Sequence, residues 1–150
     1  MRKLFFLLIV VVLASCGQKL LERVVETYPD GKPKRVQYYT PGPENSYMAK
    51  EIFYYENGQK KVEGSYNQDS KKHGKWTYWR QDGKIWSEGY FYEGKDDGLR
   101  KTWHENGAKH YEGRYDKGTR VGKWKFWDES GKMVKEIDYS KETQSVDSSQ

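Results

Sequence analysis

One short pattern recurs along this 150-residue chain about every two dozen residues, and it limits the fold more than any other feature. An aromatic is followed four residues later by glycine, five later by a glutamate that usually precedes another glycine, and then by a further ring. It runs Tyr54, Gly58, Glu63-Gly64, Tyr66, and returns as Trp79, Gly83, Glu88-Gly89, Phe91. Two more copies follow: Trp103, Gly107, Glu112-Gly113, Tyr115, and Trp127, Gly131, Glu136-Ile137, Tyr139. The first glycines step by 25, 24 and 24 residues. Such a period marks a repeat array, in which each unit packs on its neighbours. A residue present in every unit serves the unit first, which weighs against a single active site.

Each copy reads as a β-hairpin. Asp82-Gly83 lies between runs of β-formers, as do Asn57-Gly58, Asn106-Gly107 and Ser130-Gly131. Asx-Gly in that setting is a strong two-residue turn signal, because both central residues of a type I′ turn need positive φ. That turn would place Trp79 opposite Trp86 and Tyr78 opposite Ser87. Second turns are expected at His73-Gly74, Asp97-Gly98 and Val121-Gly122. Side chains alternate along a strand, so one face should carry Trp76, Tyr78, Gly89 and Phe91, and the other Trp79, Trp86, Glu88 and Tyr90. An even period keeps each column on one face. The first face, with Tyr66, Phe91, Tyr115 and Tyr139, is expected to be core-like. The interior glycines 64, 89 and 113 are expected to lie beneath a neighbouring ring.

The expected fold is all-β: a single elongated antiparallel meander, or solenoid, of repeated hairpins spanning residues 24–139. Tyr28-Pro29-Asp30-Gly31 and Tyr39 form a degenerate first copy, with an inserted loop over Thr40 to Lys50. Aromatics make up 16% of the chain, enough for a thin sheet held by rings.

Arg2 and Lys3 precede an unbroken apolar run from Leu4 to Leu13. The run is too short to span a bilayer and has the order of a secretory signal. Leu13-Ala14-Ser15-Cys16 resembles the lipobox of bacterial lipoproteins, and Cys16 is the only cysteine. The resemblance implies a signal over 1–15, lipid attachment at Cys16, a tether over 16–23 and a place in the cell envelope. Residues 140–150, rich in Ser, Gln, Lys and acids, are expected to be a disordered tail. Removing Arg2 and Lys3 leaves 25 basic against 22 acidic residues, a net +3 with locally alternating signs. That balance does not mark a nucleic-acid partner.

The columns also resemble the variant MORN repeat family, whose pattern is aromatic-x-x-Asn-Gly, Glu-Gly-x-Tyr and Gly-Lys-Trp. Gly74-Lys75-Trp76 and Gly122-Lys123-Trp124 fit, while Gly98-Leu99-Arg100 departs. The resemblance implies a hairpin array used for attachment to proteins or membranes. Some chains with these repeats are called YwqK-type antitoxins, which offers a toxin–antitoxin role as an alternative. No catalytic, metal or cofactor site is expected. One glutamate per unit reads as a strand surface position paired with lysines on adjacent strands such as Lys61, and His73, His104 and His110 match no zinc spacing. The expected function is a non-enzymatic, membrane-anchored binding scaffold for a protein or an envelope glycan. The candidate binding face is Tyr54, Trp79, Trp86, Trp103 and Trp127, although the favoured reading of those rings is that they stack on one another to hold the sheet.

Overall fold

The computed structural model describes residues 19–140. The leader, the candidate lipid site Cys16 and the tail beyond Ser140 lie outside the described residues. Within them the chain forms eleven strands and no helix. The strands are β1 (Leu21–Thr27), β2 (Pro33–Tyr39), β3 (Met48–Tyr54), β4 (Lys60–Tyr66), β5 (Lys72–Trp79) and β6 (Ile85–Tyr92). They continue as β7 (Lys95–Asp96), β8 (Gly98–Trp103), β9 (Lys109–Asp116), β10 (Thr119–Trp127) and β11 (Met133–Asp138). All pair antiparallel in chain order as one open sheet, the short β7 extending β8 against β6. This is the expected all-β meander of hairpins. β1 takes in Leu21, Glu22 and Arg23, which the sequence reading placed in the tether, because they pair with Tyr39, Tyr38 and Gln37.

The register defines two faces. Phe53, Val62, Tyr78, Ser87, Thr102, Tyr111 and Phe126 are successive cross-strand partners and share the first face. Ile52, Glu63, Thr77, Glu88, Lys101, Glu112, Lys125 and Glu136 form the corresponding row on the second. The first face is core-like, as expected. Trp76 and Trp124 are 3% and 1% exposed and sit at its centres. Trp76 meets Tyr66 and Phe91 at ring distances of 5.3 and 5.9 Å, and Trp124 meets Tyr115 and Tyr139 at 5.0 and 6.1 Å. The rings of successive units are thus joined through two tryptophans.

The interior glycines explain how those tryptophans fit. A methyl group on Gly64 would overlap the indole of Trp76, and one on Gly113 the indole of Trp124. Each indole NH then donates to a carbonyl of the strand it covers, Trp76 to Ser65 and Trp124 to Arg114, both at 3.1 Å. Gly89 instead lies beneath the guanidinium of Arg100, at the one place where Gly-Lys-Trp becomes Gly-Leu-Arg. The covering ring expected over all three glycines is present at two of them.

The turns differ from expectation. Arg80 N donates to Lys84 O and Gly83 N to Arg80 O, which closes a three-residue loop with positive φ at Gly83 alone. The same pair of bonds recurs at Tyr28, Tyr55, His104 and Asp128. The Asx-Gly turns are therefore type I turns ending in a glycine bulge, the three-residue alternative to type I′. Two-residue turns with positive φ at both positions occur at Glu93-Gly94 and Lys117-Gly118. Gly74, Gly98 and Gly122 are not turns. They have positive φ within or at the start of strands, two residues before Trp76, Arg100 and Trp124, where the regular pairing is interrupted. A bulge re-aims the next side chains, and here the re-aimed residue covers the glycine of the preceding strand.

In the first units a polar cluster replaces the tryptophan. Glu51 occupies the corresponding position and is 3% exposed. It accepts from Arg35 Nε at 2.6 Å, Gln37 Nε2 at 2.8 Å and Tyr66 Oη at 3.1 Å. Burial together with the Glu51 charge pushes the Tyr66 phenol up to about 12. The Glu51 hydrogen bond raises Arg35 above its ordinary value.

Candidate functional site

Tyr54, Trp79, Trp103 and Trp127 form one half-buried column on the second face, beside the glutamate row. Trp86 does not join it. Trp79 pairs with Ile85 and Tyr78 with Ser87, so Trp86 is the extra residue of a bulge. The residue responsible is the third one in the loop, which shifts the pairing by one and removes the expected Trp79–Trp86 pair. The Trp86 ring packs instead on Tyr78 of the ring-packed face, at 5.8 Å, and remains 41% exposed.

The column rings do not stack on one another among the described residues. Each unit contributes two strands, so equivalent rings are about 9.6 Å apart. The second strand fills the interval: Lys60 opposes Tyr54, Ile85 opposes Trp79, Lys109 opposes Trp103 and Met133 opposes Trp127. Lys60 Nζ stands 5.8 Å above the Trp79 ring and Lys109 Nζ 4.8 Å above Trp127. Such lysine stems cover apolar surface while the ammonium stays wet.

The repeated glutamates have partners. Glu63 pairs with Lys50 and with Lys60, Glu88 with Lys75 at 2.6 Å, Glu112 with Lys109 at 3.0 Å, and Glu136 with Lys123 at 2.8 Å. The side-chain bond to Lys123 holds Glu136 below the usual carboxylate range. These are cross-strand and same-strand surface pairs, and Lys61, the expected partner, is not among them because it stands over the Tyr55 ring. Among the described residues, no group of three or more His, Cys, Asp and Glu is placed to hold a metal.

A second row runs along the turn end. The residue that opens each Asx-Gly loop donates to the backbone carbonyl of the column ring in the next unit. Tyr28 Oη bonds Tyr54 O at 2.9 Å, and Tyr55 Oη bonds Trp79 O at 2.8 Å. Arg80 Nη2 bonds Trp103 O at 3.0 Å, and His104 Nε2 bonds Trp127 O at 2.8 Å. A carbonyl only accepts, so His104 carries its proton on Nε2. Asn57 and Asn106 add bonds to Gln81 O and Glu129 O in the following loops. Sequence reading missed this ladder because its donors are Tyr, Tyr, Arg and His, which share no motif. Only their constant offset before the loop glycine could have revealed them.

Across each loop, the opening residue (Tyr28, Tyr55, Arg80, His104 or Asp128) is matched by the extra residue of the strand bulge: Lys34, Lys61, Trp86, His110 and Val134. Lys61 stands 5.5 Å above the Tyr55 ring, and His104 lies 4.3 Å from His110. Burial and the neighbouring His104 lower His110 below its ordinary value. Tyr55, Arg80, Gln81, Asp82, Trp86 and Glu105 line a shallow groove of about 530 Å³ that crosses three loops.

The MORN repeat variant profile matches residues 49–68, 72–93, 96–117 and 120–141. These are the β3–β4 hairpin, the β5–β6 hairpin, the β7–β9 segment and the β10–β11 hairpin. No curated protein and no solved structure shows significant similarity to the chain. Four in-phase matches cover more than half of the sequence, so the chain belongs to the MORN repeat variant family.

Proposed function

We propose that this protein is a lipid-anchored, non-catalytic scaffold of the cell envelope, whose sheet presents a binding surface to a protein or a glycan. MORN repeat proteins are generally non-catalytic binding proteins, and the repeat array is the observation that carries the binding role. Its polar groups recur as structural pairs: the glutamates face lysines and the turn donors hold backbone carbonyls. The anchor rests on the sequence alone, on the apolar run ending in Leu13-Ala14-Ser15-Cys16. One acyl chain gives marginal membrane binding, so stable attachment requires more than one chain on Cys16. Among the described residues no helix is long and apolar enough to cross a membrane.

The test is metabolic labelling with an alkyne fatty acid, followed by membrane fractionation of wild type and Cys16→Ala. Wild type should carry label and sediment with membranes, and the variant should do neither. Unlabelled wild type, or a variant that still sediments, would overturn the anchor. The antitoxin role has no observation here that favours it.

A further inference from the structure

The turn-end row differs from the rest of the array in one respect. The loop glycine is kept in every unit, and from Tyr54 onward the column ring and the paired glutamate barely change. The cross-loop pairs are Tyr28 with Lys34 and Tyr55 with Lys61 in the first two units, and then change with every unit: Arg80 with Trp86, His104 with His110, Asp128 with Val134. The backbone under them stays fixed, since the same carbonyl acceptor recurs beneath Tyr28, Tyr55, Arg80 and His104. A scaffold that holds geometry constant while varying exposed side chains is suited to recognition, because non-repeated chemistry is what a specific site requires.

We infer that the groove lined by Tyr55, Arg80, Gln81, Asp82, Trp86 and Glu105 binds an extended β-linked saccharide chain, with Trp86 as its stacking platform. Trp86 offers a large exposed ring fixed from behind by Tyr78, suited to the apolar face of a pyranose. Planar polar groups surround it, as the vicinal hydroxyls of a sugar require. The Arg80 guanidinium is held in place by Nη2 on Trp103 O. Its Nη1 has only Glu105 at 3.9 Å, and Glu105 itself is 92% exposed. Both therefore remain available to a ligand, beside the Gln81 amide. Glu105 faces Arg80, and Asp82 pairs with Lys84 at the groove edge at 3.4 Å, so no net positive charge is left for a polyanion and a neutral polymer fits better. Successive units are about 9.6 Å apart along the row, close to one disaccharide of an extended β-1,4-linked chain. Tyr55, Trp86 and the His104–His110 pair would then meet alternate sugars. This inference rests on the array being a binding scaffold and is independent of the anchor.

The test is calorimetric titration of the full-length protein, purified in detergent, with chitotetraose, cellotetraose and the helical α-linked maltotetraose. Saturable binding of at least one β-linked tetramer is expected, with maltotetraose about tenfold weaker. Trp86→Ala should lower affinity about tenfold or more and Glu105→Gln about threefold. Tyr92→Ala removes a 53% exposed ring at the far end of the same strand and should leave affinity unchanged. Cys16→Ala should also bind normally, which separates this result from a failed anchor. No binding of either β-linked tetramer up to about 10 mM, or equal losses in Trp86→Ala and Tyr92→Ala, would overturn the site. Equal binding of maltotetraose would overturn the extended-chain geometry.

Discussion

The middle of the sheet and its turn end both change chemistry from unit to unit, yet the change has different consequences. In the middle, Glu51, Trp76, Arg100 and Trp124 occupy one position, and all but the arginine, whose side chain is 16% exposed, belong to buried residues. Each must satisfy its neighbours: Trp124 lies in the space left by Gly113, and Glu51 takes three hydrogen bonds. At the turn end, Trp86 and His110 are exposed and only their partners' bonds to the backbone are shared. Burial makes the first column answerable to stability. Exposure frees the second to vary.

The largest effect should come from the middle. Trp124→Ala removes a fully buried ring that touches Tyr111, Tyr115, Phe126 and Tyr139, and should cost about 4 kcal/mol in a urea melt. Arg100→Ala at the equivalent place removes contacts to Phe91 and Tyr115 and leaves Asp96 without its ion pair. That side chain retains some access to water, so about 2 kcal/mol is expected. Trp86→Ala at the turn end should fall below about 1 kcal/mol. Comparable losses for Trp124→Ala and Trp86→Ala would break the distinction.

The glycines sharpen the same comparison. Gly113→Ala drives a methyl into a rigid indole enclosed on all sides, at about 3 kcal/mol. Gly89→Ala meets the flexible Arg100 side chain, which can swing aside, so about 1 kcal/mol is expected. If both substitutions shift the urea midpoint equally, the cover over the glycine does not decide the cost.

Much of the middle was legible before the structure. Period and alternation placed Trp76, Tyr78, Gly89 and Phe91 on one face, because side-chain direction in a strand follows parity alone. Lysine partners for the glutamates were also expected, but Glu63 takes Lys50 and Lys60 rather than Lys61, which the bulge turns towards Tyr55. The turn end was not legible, since loop length sets register and Asx-Gly serves both two- and three-residue loops. A single added residue moved Trp86 away from Trp79. Gly74, Gly98 and Gly122 looked like turns because positive-φ glycine marks a bulge as readily as a turn. The donor ladder was hidden because hydroxyl, guanidinium and imidazole can all reach a carbonyl, so selection need not keep one residue type there.

That ladder gives the third prediction. Tyr55→Phe keeps the ring under Lys61 and deletes only the bond to Trp79 O, so about 1 kcal/mol should be lost. A loss as large as that of Gly113→Ala would mean that the turn end is as constrained as the middle.

The smallest effect separates two neighbouring turn-end pairs by pH. His110 has a folded-state value below its ordinary 6.5, first through burial and then through His104. Well above 6.5 both folded and unfolded chains hold it neutral, and it contributes nothing to the pH dependence. As pH falls through 6.5 the unfolded chain binds the proton first, so stability should decline. Carboxylates in general titrate lower, which leaves a window between about pH 5 and 6.5 for this group. Thermal midpoints should therefore be flat from about pH 8 to 7 and fall slightly below 6.5. His110→Gln should flatten the slope in that window, whereas Trp86→Ala, which removes no titratable group, should leave it unchanged. An unaltered slope in His110→Gln would show that the two pairs differ in side chain but not in their coupling to folding.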